Sequence, residues 1–265
     1  LMPRRIVIHM GFHKTGTSSV QQVLRDNRKA LRPHMRSLLR WALSDVVSAA
    51  RGYSMWRDPV TLLKFNTRFA RVLADLPAMP KRVLCLSAEE LAGHLPGRDD
   101  MGDYSAAPVL AAEMADIAQA QFPRAEIVFY LSTRAPDAWI ESAYWQHVKS
   151  SSLTLDFDAF CARYPDAATL DSTVTQIARA VPCAVHHTRL EDTTHLPLGP
   201  ATPVLNLCEV PAGTQASLTR APAANTRPDM DVLARLLDAN RTITDAKARK
   251  QAKDAILRAA RETSE

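Results

Sequence analysis

The chain has 265 residues, with 33 Lys plus Arg against 28 Asp plus Glu, for a formal charge of +5. Hydrophobic residues make up 46% and charged residues 23%, a globular composition that excludes a disordered chain and suits one domain with a large core. Four dispersed cysteines (Cys85, Cys161, Cys183 and Cys208) form no CxxC pair, which argues against a zinc ribbon or disulfide scaffold and for a reducing compartment.

The start, Leu1-Met2-Pro3-Arg4-Arg5, is basic, but the apolar stretch after it is too short for a secretory leader. No apolar run approaches the roughly 18 residues that cross a bilayer, so the expected location is the cytoplasm. First comes a buried strand, Arg5–Met10, then a helical pattern through Val20, Val23, Leu24 and Leu31. Apolar residues from Leu62 to Leu76 predict another helix before a second strand, Arg82–Leu86, and the long interval between these strands reads as an elaborated crossover of two or three helices. Ala-rich Val109–Gln121 precedes a third strand, Glu126–Leu131. The helical pattern of Val174, Ile177, Ala178 and Val181 precedes a fourth, Cys183–His187. All four strands read as buried on both faces. Helices between short apolar strands predict an α/β fold: a three-layer α/β/α architecture of the P-loop NTPase kind around a central, mostly parallel sheet. Residues 4–190 would form the core of a single domain, 1–265. Residues 191–265 read as a helical, loop-rich C-terminal region. Proline-rich Leu196–Pro228 reads as loop with short helical pieces, Asp231–Ala239 as a helix, and Thr244–Arg261 as a basic tail helix. That tail has Ile256 and Leu257 as its main large apolar residues, so weak packing or a weak dimer contact is expected of it.

The most informative window is Gly11-Phe12-His13-Lys14-Thr15-Gly16-Thr17-Ser18-Ser19. Of only eight glycines, two fall five apart between the first strand and the first helix. Glycine admits positive φ and removes a Cβ that would block an oxyanion, and the helix start offers free amides and a positive dipole end. Lys14 adds a charge; Thr15, Thr17 and Ser18 add hydroxyls. A phosphate cradle follows. It is not a Walker A loop, because Thr17 stands where GxxxxGK[ST] requires lysine.

Two further groups fall at predicted strand ends, where open α/β sheets gather ligands. Arg134 follows the third strand and Ser142 comes eight residues later on a predicted helix, so both can meet one phosphate. Glu89 and Glu90 follow the second strand. If strand geometry continued there, only one would face the cleft, and either could act as a general base. The chain has no HExxH or comparable ligand spacing, so no metal is expected. Basic residues are not interleaved with aromatics, so no nucleic-acid partner is expected.

The loop Lys14-Thr15-Gly16-Thr17-Ser18, with Arg134 and Ser142, resembles the sulfotransferases that use 3′-phosphoadenosine 5′-phosphosulfate (PAPS), particularly the bacterial and carbohydrate-acting branch. Tyr144-Trp145-Gln146 and Asn225-Thr226-Arg227 resemble recurring segments of its bacterial members. The resemblance implies that residues 11–18, including Gly11, His13 and Gly16, hold the 5′-phosphosulfate. It implies that Arg134 and Ser142 bind the 3′-phosphate, and that a glutamate in Ser87–Glu90 serves as base, with Glu90 favoured over Glu89. The product would be 3′,5′-adenosine bisphosphate and the partner a hydroxyl-bearing acceptor: a carbohydrate, a lipid headgroup or a small metabolite. Candidate acceptor linings are Gly93–Tyr104 and the aromatic stretch with Trp41, Tyr53, Met55 and Trp56; Arg220 or Arg227 could close over the donor. The alternatives are a magnesium- and ATP-dependent P-loop kinase and a non-catalytic nucleotide-binding protein.

Overall fold

The computed structural model describes residues 2–79, 81–223 and 229–264; Asn225, Thr226 and Arg227 lie outside them. Strand β1 (Arg5–His9) leads through the glycine-containing turn into helix α1 (Thr17–Asp26). A short helix, α2 (Arg28–Leu31), precedes β2 (Met35–Leu39), and α3 (Ser44–Trp56) and α4 (Pro59–Ala74) return the chain to β3 (Val83–Ser87). A 3₁₀ turn at Glu89–Ala92 and helix α5 (Ala107–Gln121) lead to β4 (Glu126–Thr133). Next come α6 (Pro136–Ser150), α7 (Phe157–Arg163), α8 (Leu170–Ala180) and β5 (Ala184–Arg189). The C-terminal region holds α9 (Ala201–Leu207), α10 (Ala212–Ala216), α11 (Met230–Thr242) and α12 (Ala246–Glu262).

The sheet order is β2-β3-β1-β4-β5, and every neighbouring pair is parallel. Ile8 lies level with Leu86 and Phe129. Side chains alternate faces along a strand, and here the alternation makes two cores. Ile6, Ile8, Leu84, Leu86, Phe129 and Leu131 pack on one face with α3–α6 and α8. Val7, Val83, Cys85 and Tyr130 pack on the other with Val20, Val23 and Leu24 of α1 and Val204 and Leu205 of α9. The result is a three-layer α/β fold around a central parallel sheet, Rossmann-like and P-loop-like in kind. Because β1 lies between β3 and β4, the chain builds β2 and β3 on one side of it and then crosses over to build β4 and β5 on the other. A crevice therefore opens at its carboxyl end.

Two strand readings change. Met35–Leu39 is a fifth strand inside the elaborated crossover, hidden in the sequence because Arg36 and Ser37 interrupt its apolar pattern. It needs little burial because it is an edge strand, paired only with β3. Strand β5 is largely exposed rather than buried, because it forms the opposite edge. Among the described residues no helix is long and apolar enough to cross a membrane.

The tail helix is pinned rather than loosely packed. Lys253 of α12 is buried, and its Nζ donates to the carbonyls of Val148 and Ser151, each at 2.7 Å, and to Asn240 Oδ1 at 2.9 Å. Asn240 in turn donates to the carbonyls of Val148 and Leu153. A cation thus sits on the unpaired carbonyls that close α6, where the helix dipole favours it. Apolar periodicity in the tail could not reveal a polar anchor. Lys253→Met is expected to cost about 2–3 kcal/mol in urea unfolding, since the Ser151 carbonyl and Asn240 Oδ1 lose their donor and the Val148 carbonyl keeps only Asn240. With Asn240→Ala the losses should be clearly less than additive, because both side chains serve one network.

Candidate functional site

The turn between β1 and α1 is built against β4 and α6. Phe12 N–H donates to the Ser132 carbonyl at 3.2 Å, and Ser132 N–H donates to the Gly11 carbonyl at 2.7 Å. The Thr15 hydroxyl is fully buried, 2.5 Å from both the Phe12 carbonyl and Ser132 Oγ. Trp139 Nε1 donates to the His13 carbonyl at 2.8 Å, and Arg134 Nη1 to the Lys14 carbonyl at 3.0 Å. Both turn glycines need positive φ, at +111° for Gly11 and +93° for Gly16. A Cβ on Gly16 would come within 2.9 Å of Leu190 Cδ1 and Pro200 Cγ, so the C-terminal region packs directly on this glycine. Lys14 itself is left-handed, with φ 62°, an uncommon backbone state for a residue with a side chain.

Gly16 is also the N-cap of α1. Among the described residues no side chain caps this helix, and no acidic residue occupies its first turn, so its leading amides and dipole can meet an anion. They open into a cavity of about 900 Å³ at the carboxyl ends of the strands. The cavity brings together His13, Lys14, Gly16, Thr17, Ser18, Glu89, Glu90, Arg134 and Ser142. Gly11 and Thr15 do not line it; they shape the loop from beneath. Leu190, Thr194, Pro200, Arg220 and residues 221–223 form its C-terminal wall, and Arg220 is tied to the carbonyls of Leu196 and Thr194.

Glu89 and Glu90 both face the cavity, since the chain leaves strand geometry for a 3₁₀ turn at this point. Alternation past β3 therefore does not separate them. Glu89 accepts a hydrogen bond from the Thr17 hydroxyl. Glu90 is buried and held between Arg40 Nε at 3.3 Å and Arg51 Nη1 at 3.6 Å. Both arginines line the cavity and escaped the sequence reading, because they come from the crossover, some 40–50 positions away from Glu90.

Lys14 Nζ lies 3.4 Å from Gln146 Oε1 on α6. Burial lowers the Lys14 pKa, the charges of Lys149 and Arg134 lower it further, and Glu89 opposes them. The site thus concentrates positive charge while keeping it partly desolvated, which favours an incoming anion. His13 is not at the surface. It is buried against Tyr104, with Nδ1 2.7 Å from the phenolic oxygen, and burial drives its pKa down to about 3. Tyr104 and Leu95 are buried too, so the polar-looking stretch Gly93–Tyr104 packs as a wall, pinned by His147 Nε2 against the Pro96 carbonyl at 2.7 Å. Of the acceptor-lining candidates in the crossover, Tyr53 is core, whereas Trp41, Met55 and Trp56 are exposed.

No protein-family model matches the chain, and neither does any curated protein sequence. The architecture is of the nucleotide- and ligand-binding kind; what it binds has to be argued from the site. Among the described residues no group of three or more His, Cys, Asp or Glu side chains could hold a metal ion.

Three imidazoles are kept neutral by burial, His9 and His147 with pKa values lowered to about 4 and His13 to about 3. Below pH 6.5 the unfolded chain binds these protons while the folded chain does not, so stability falls as pH drops. Between pH 6.5 and 5 the loss should be on the order of 4 kcal/mol for the three together. Urea midpoints across that interval measure it, and His147→Gln should flatten the slope. A midpoint constant from pH 6.5 to 5 would show that these histidines are not held neutral.

Proposed function

We propose that the protein is a sulfotransferase that moves a sulfuryl group from PAPS to a hydroxyl of an acceptor. One observation carries the reading: an uncapped helix N-terminus with Lys14, and the pair Arg134 and Ser142, line a single cavity that accommodates a nucleotide. Two anion grips of this kind suit a ligand with phosphates at both ends of a nucleoside. A magnesium triphosphate, by contrast, relies on the Walker lysine, and Thr17 stands at that position.

In this reading the amides of Thr17 and Ser18 and the Ser18 hydroxyl hold the 5′-phosphate, and Arg134 with Ser142 holds the 3′-phosphate. The acceptor oxygen forms a bond to sulfur as the bridging bond from sulfur to the 5′-phosphate oxygen breaks. The electron pair of that bond leaves on the bisphosphate, where Lys14 meets the developing charge. The hydroxyl proton passes to Glu90, which its two arginines hold in place on the side of the cavity nearest β2. Glu89, engaged by Thr17, shapes the rim of the cradle. Rate enhancement comes from positioning and fixed positive charge, as in phosphoryl transfer.

Calorimetry on the purified protein should find 3′,5′-adenosine bisphosphate bound at least about tenfold more tightly than ATP with magnesium. Equal affinities would refute the donor assignment and favour the kinase. In transfer assays Lys14→Ala should reduce turnover about a hundredfold or more. Glu90→Gln should abolish transfer with bisphosphate affinity nearly unchanged. If Glu90→Gln stays active while Glu89→Gln does not, the base is Glu89.

A further inference from the structure

Beside the nucleotide-sized cavity lies a second one, of about 850 Å³, which follows the outer edge of the sheet along β2. Its walls carry Arg25, Arg28, Arg36, Arg40, Arg51 and the indole of Trp41. No acidic side chain lines it among the described residues. A smaller cavity of about 480 Å³ continues from Arg28 and Arg36 past Arg32 and Arg82, and it too has no acidic lining among them. At the other end Arg40 and Arg51 line both the groove and the nucleotide-sized cavity, so the two are continuous beside Glu90.

This is an unusual place for so much charge. The chain carries only +5 overall, yet five guanidinium groups converge on one groove. Like charges gathered without lining counter-ions repel one another and raise the local potential, an arrangement that an anionic ligand relieves. Arg40 and Arg51 share Glu90, at 3.3 and 3.6 Å, where the groove meets the other cavity, whereas Arg25 Nε is 3.9 Å from Asp26 and no ion pair engages Arg28 or Arg36 among the described residues. Among the described residues the buried Arg36 Nε has no hydrogen-bond partner, a donor that a ligand's anionic oxygen could satisfy. Arg36 lies in β2 and Arg40 in the turn that ends it, so the guanidinium groups are strung along the length of the strand and past its end. That length fits a chain of repeating anionic units rather than a single small anion.

Trp41 decides between kinds of polyanion. It is 92% exposed and yet lines the groove, presenting a flat apolar ring among the guanidinium groups. A lone ring next to bidentate anion donors suits a saccharide, which offers one apolar face together with sulfate or carboxylate substituents. A single-stranded nucleic acid would call for a series of stacking rings, and the groove has one.

We infer that the β2 groove is an acceptor subsite for an acidic oligosaccharide, whose sulfate or carboxylate groups are held by Arg25, Arg28 and Arg36 while its hydroxyl reaches Glu90. The inference rests on the proposed sulfuryl transfer for the meaning of that hydroxyl, and on the groove alone for the binding. An anionic substituent arriving at Arg40 and Arg51 also competes with Glu90 for their guanidinium groups. Acceptor binding therefore loosens the ion pairs that hold the base.

Calorimetry with a dextran sulfate oligosaccharide, neutral dextran of the same length, a single-stranded DNA oligonucleotide and polyglutamate tests this, using the full chain. The sulfated sugar should bind in a salt-sensitive way and the neutral one should not. Arg25→Ala/Arg28→Ala should weaken the sulfated sugar about tenfold or more. Both residues are exposed, so the fold should survive, as an unchanged thermal melt would confirm. Trp41→Ala should weaken the sugar but leave polyglutamate unaffected. Neither variant should change affinity for 3′,5′-adenosine bisphosphate, because these three residues do not line the donor cavity. Failure of the sulfated sugar to bind, or binding indifferent to the arginine pair, overturns the groove. Equal binding of DNA or polyglutamate with no effect of Trp41→Ala overturns the saccharide. If the bisphosphate fails to bind while the sulfated sugar still does, the donor reading falls and the groove stands.

Discussion

The turn at residues 10–16 is held in place by groups that lie more than a hundred positions away. Ser132 takes and gives backbone hydrogen bonds across it, Thr15 buries its hydroxyl against Ser132, and Trp139 and Arg134 donate to the carbonyls of His13 and Lys14. These bonds fix a loop that contains two positive-φ glycines and a left-handed lysine. Without them its conformational freedom would cost the helix N-terminus its aim. The rest of the site depends on this attachment, because the same stretch of β4 and α6 that holds the loop also supplies Arg134 and Ser142 to the cavity.

That coupling explains how two separated anion grips come to share one space. Parallel strands deliver their carboxyl ends to one edge of the sheet, and the switch in crossover direction at β1 keeps the crevice there open. The C-terminal region closes it from a third side through Leu190, Pro200 and Arg220. Burial then sets the electrical character of the site. His13 is kept neutral and Lys14 partly desolvated, while Glu90 is kept between two arginines. A buried cation near other cations is costly on its own and becomes favourable once an anion enters, which is the energetic signature of a binding site rather than of a structural ion pair.

Edge strands shape the other half of the molecule. Strand β2 has a neighbour on one side only, and it is incompletely covered: Met35 and Leu38 are buried while Arg36, Ser37 and Leu39 are half-buried, so Arg36 can occupy a strand with no partner charge among the described residues. A strand in the middle of the sheet could not tolerate this, because both of its faces are covered. The arginine groove is thus a consequence of topology. It borders the cavity at the strand ends because the turn that leaves β2 and the helix that follows supply Arg40 and Arg51 beside the end of β3.

Much of this was available from local pattern. Gly11 and Gly16 lie between an apolar strand and a helical repeat, and that arrangement specifies a tight strand-to-helix turn by itself, since glycine is required there for steric reasons. The spacing of Arg134 and Ser142 places both near one strand end, and the alternation of short apolar strands with helices is enough for a parallel α/β sheet. Tertiary structure alone decided what those groups face. Local geometry made Glu89 and Glu90 diverge, whereas the 3₁₀ turn admits both to the cavity and distant arginines distinguish them. Thr15 looked like another phosphate donor, and its hydroxyl is spent on Ser132. Strand β2 and the buried Lys253 carry no apolar signature: one is an edge and the other a polar anchor, and such roles exist only once a sheet neighbour or a helix end is in place. Periodicity reports which residues leave water; which partners they then meet depends on chain segments far away in sequence.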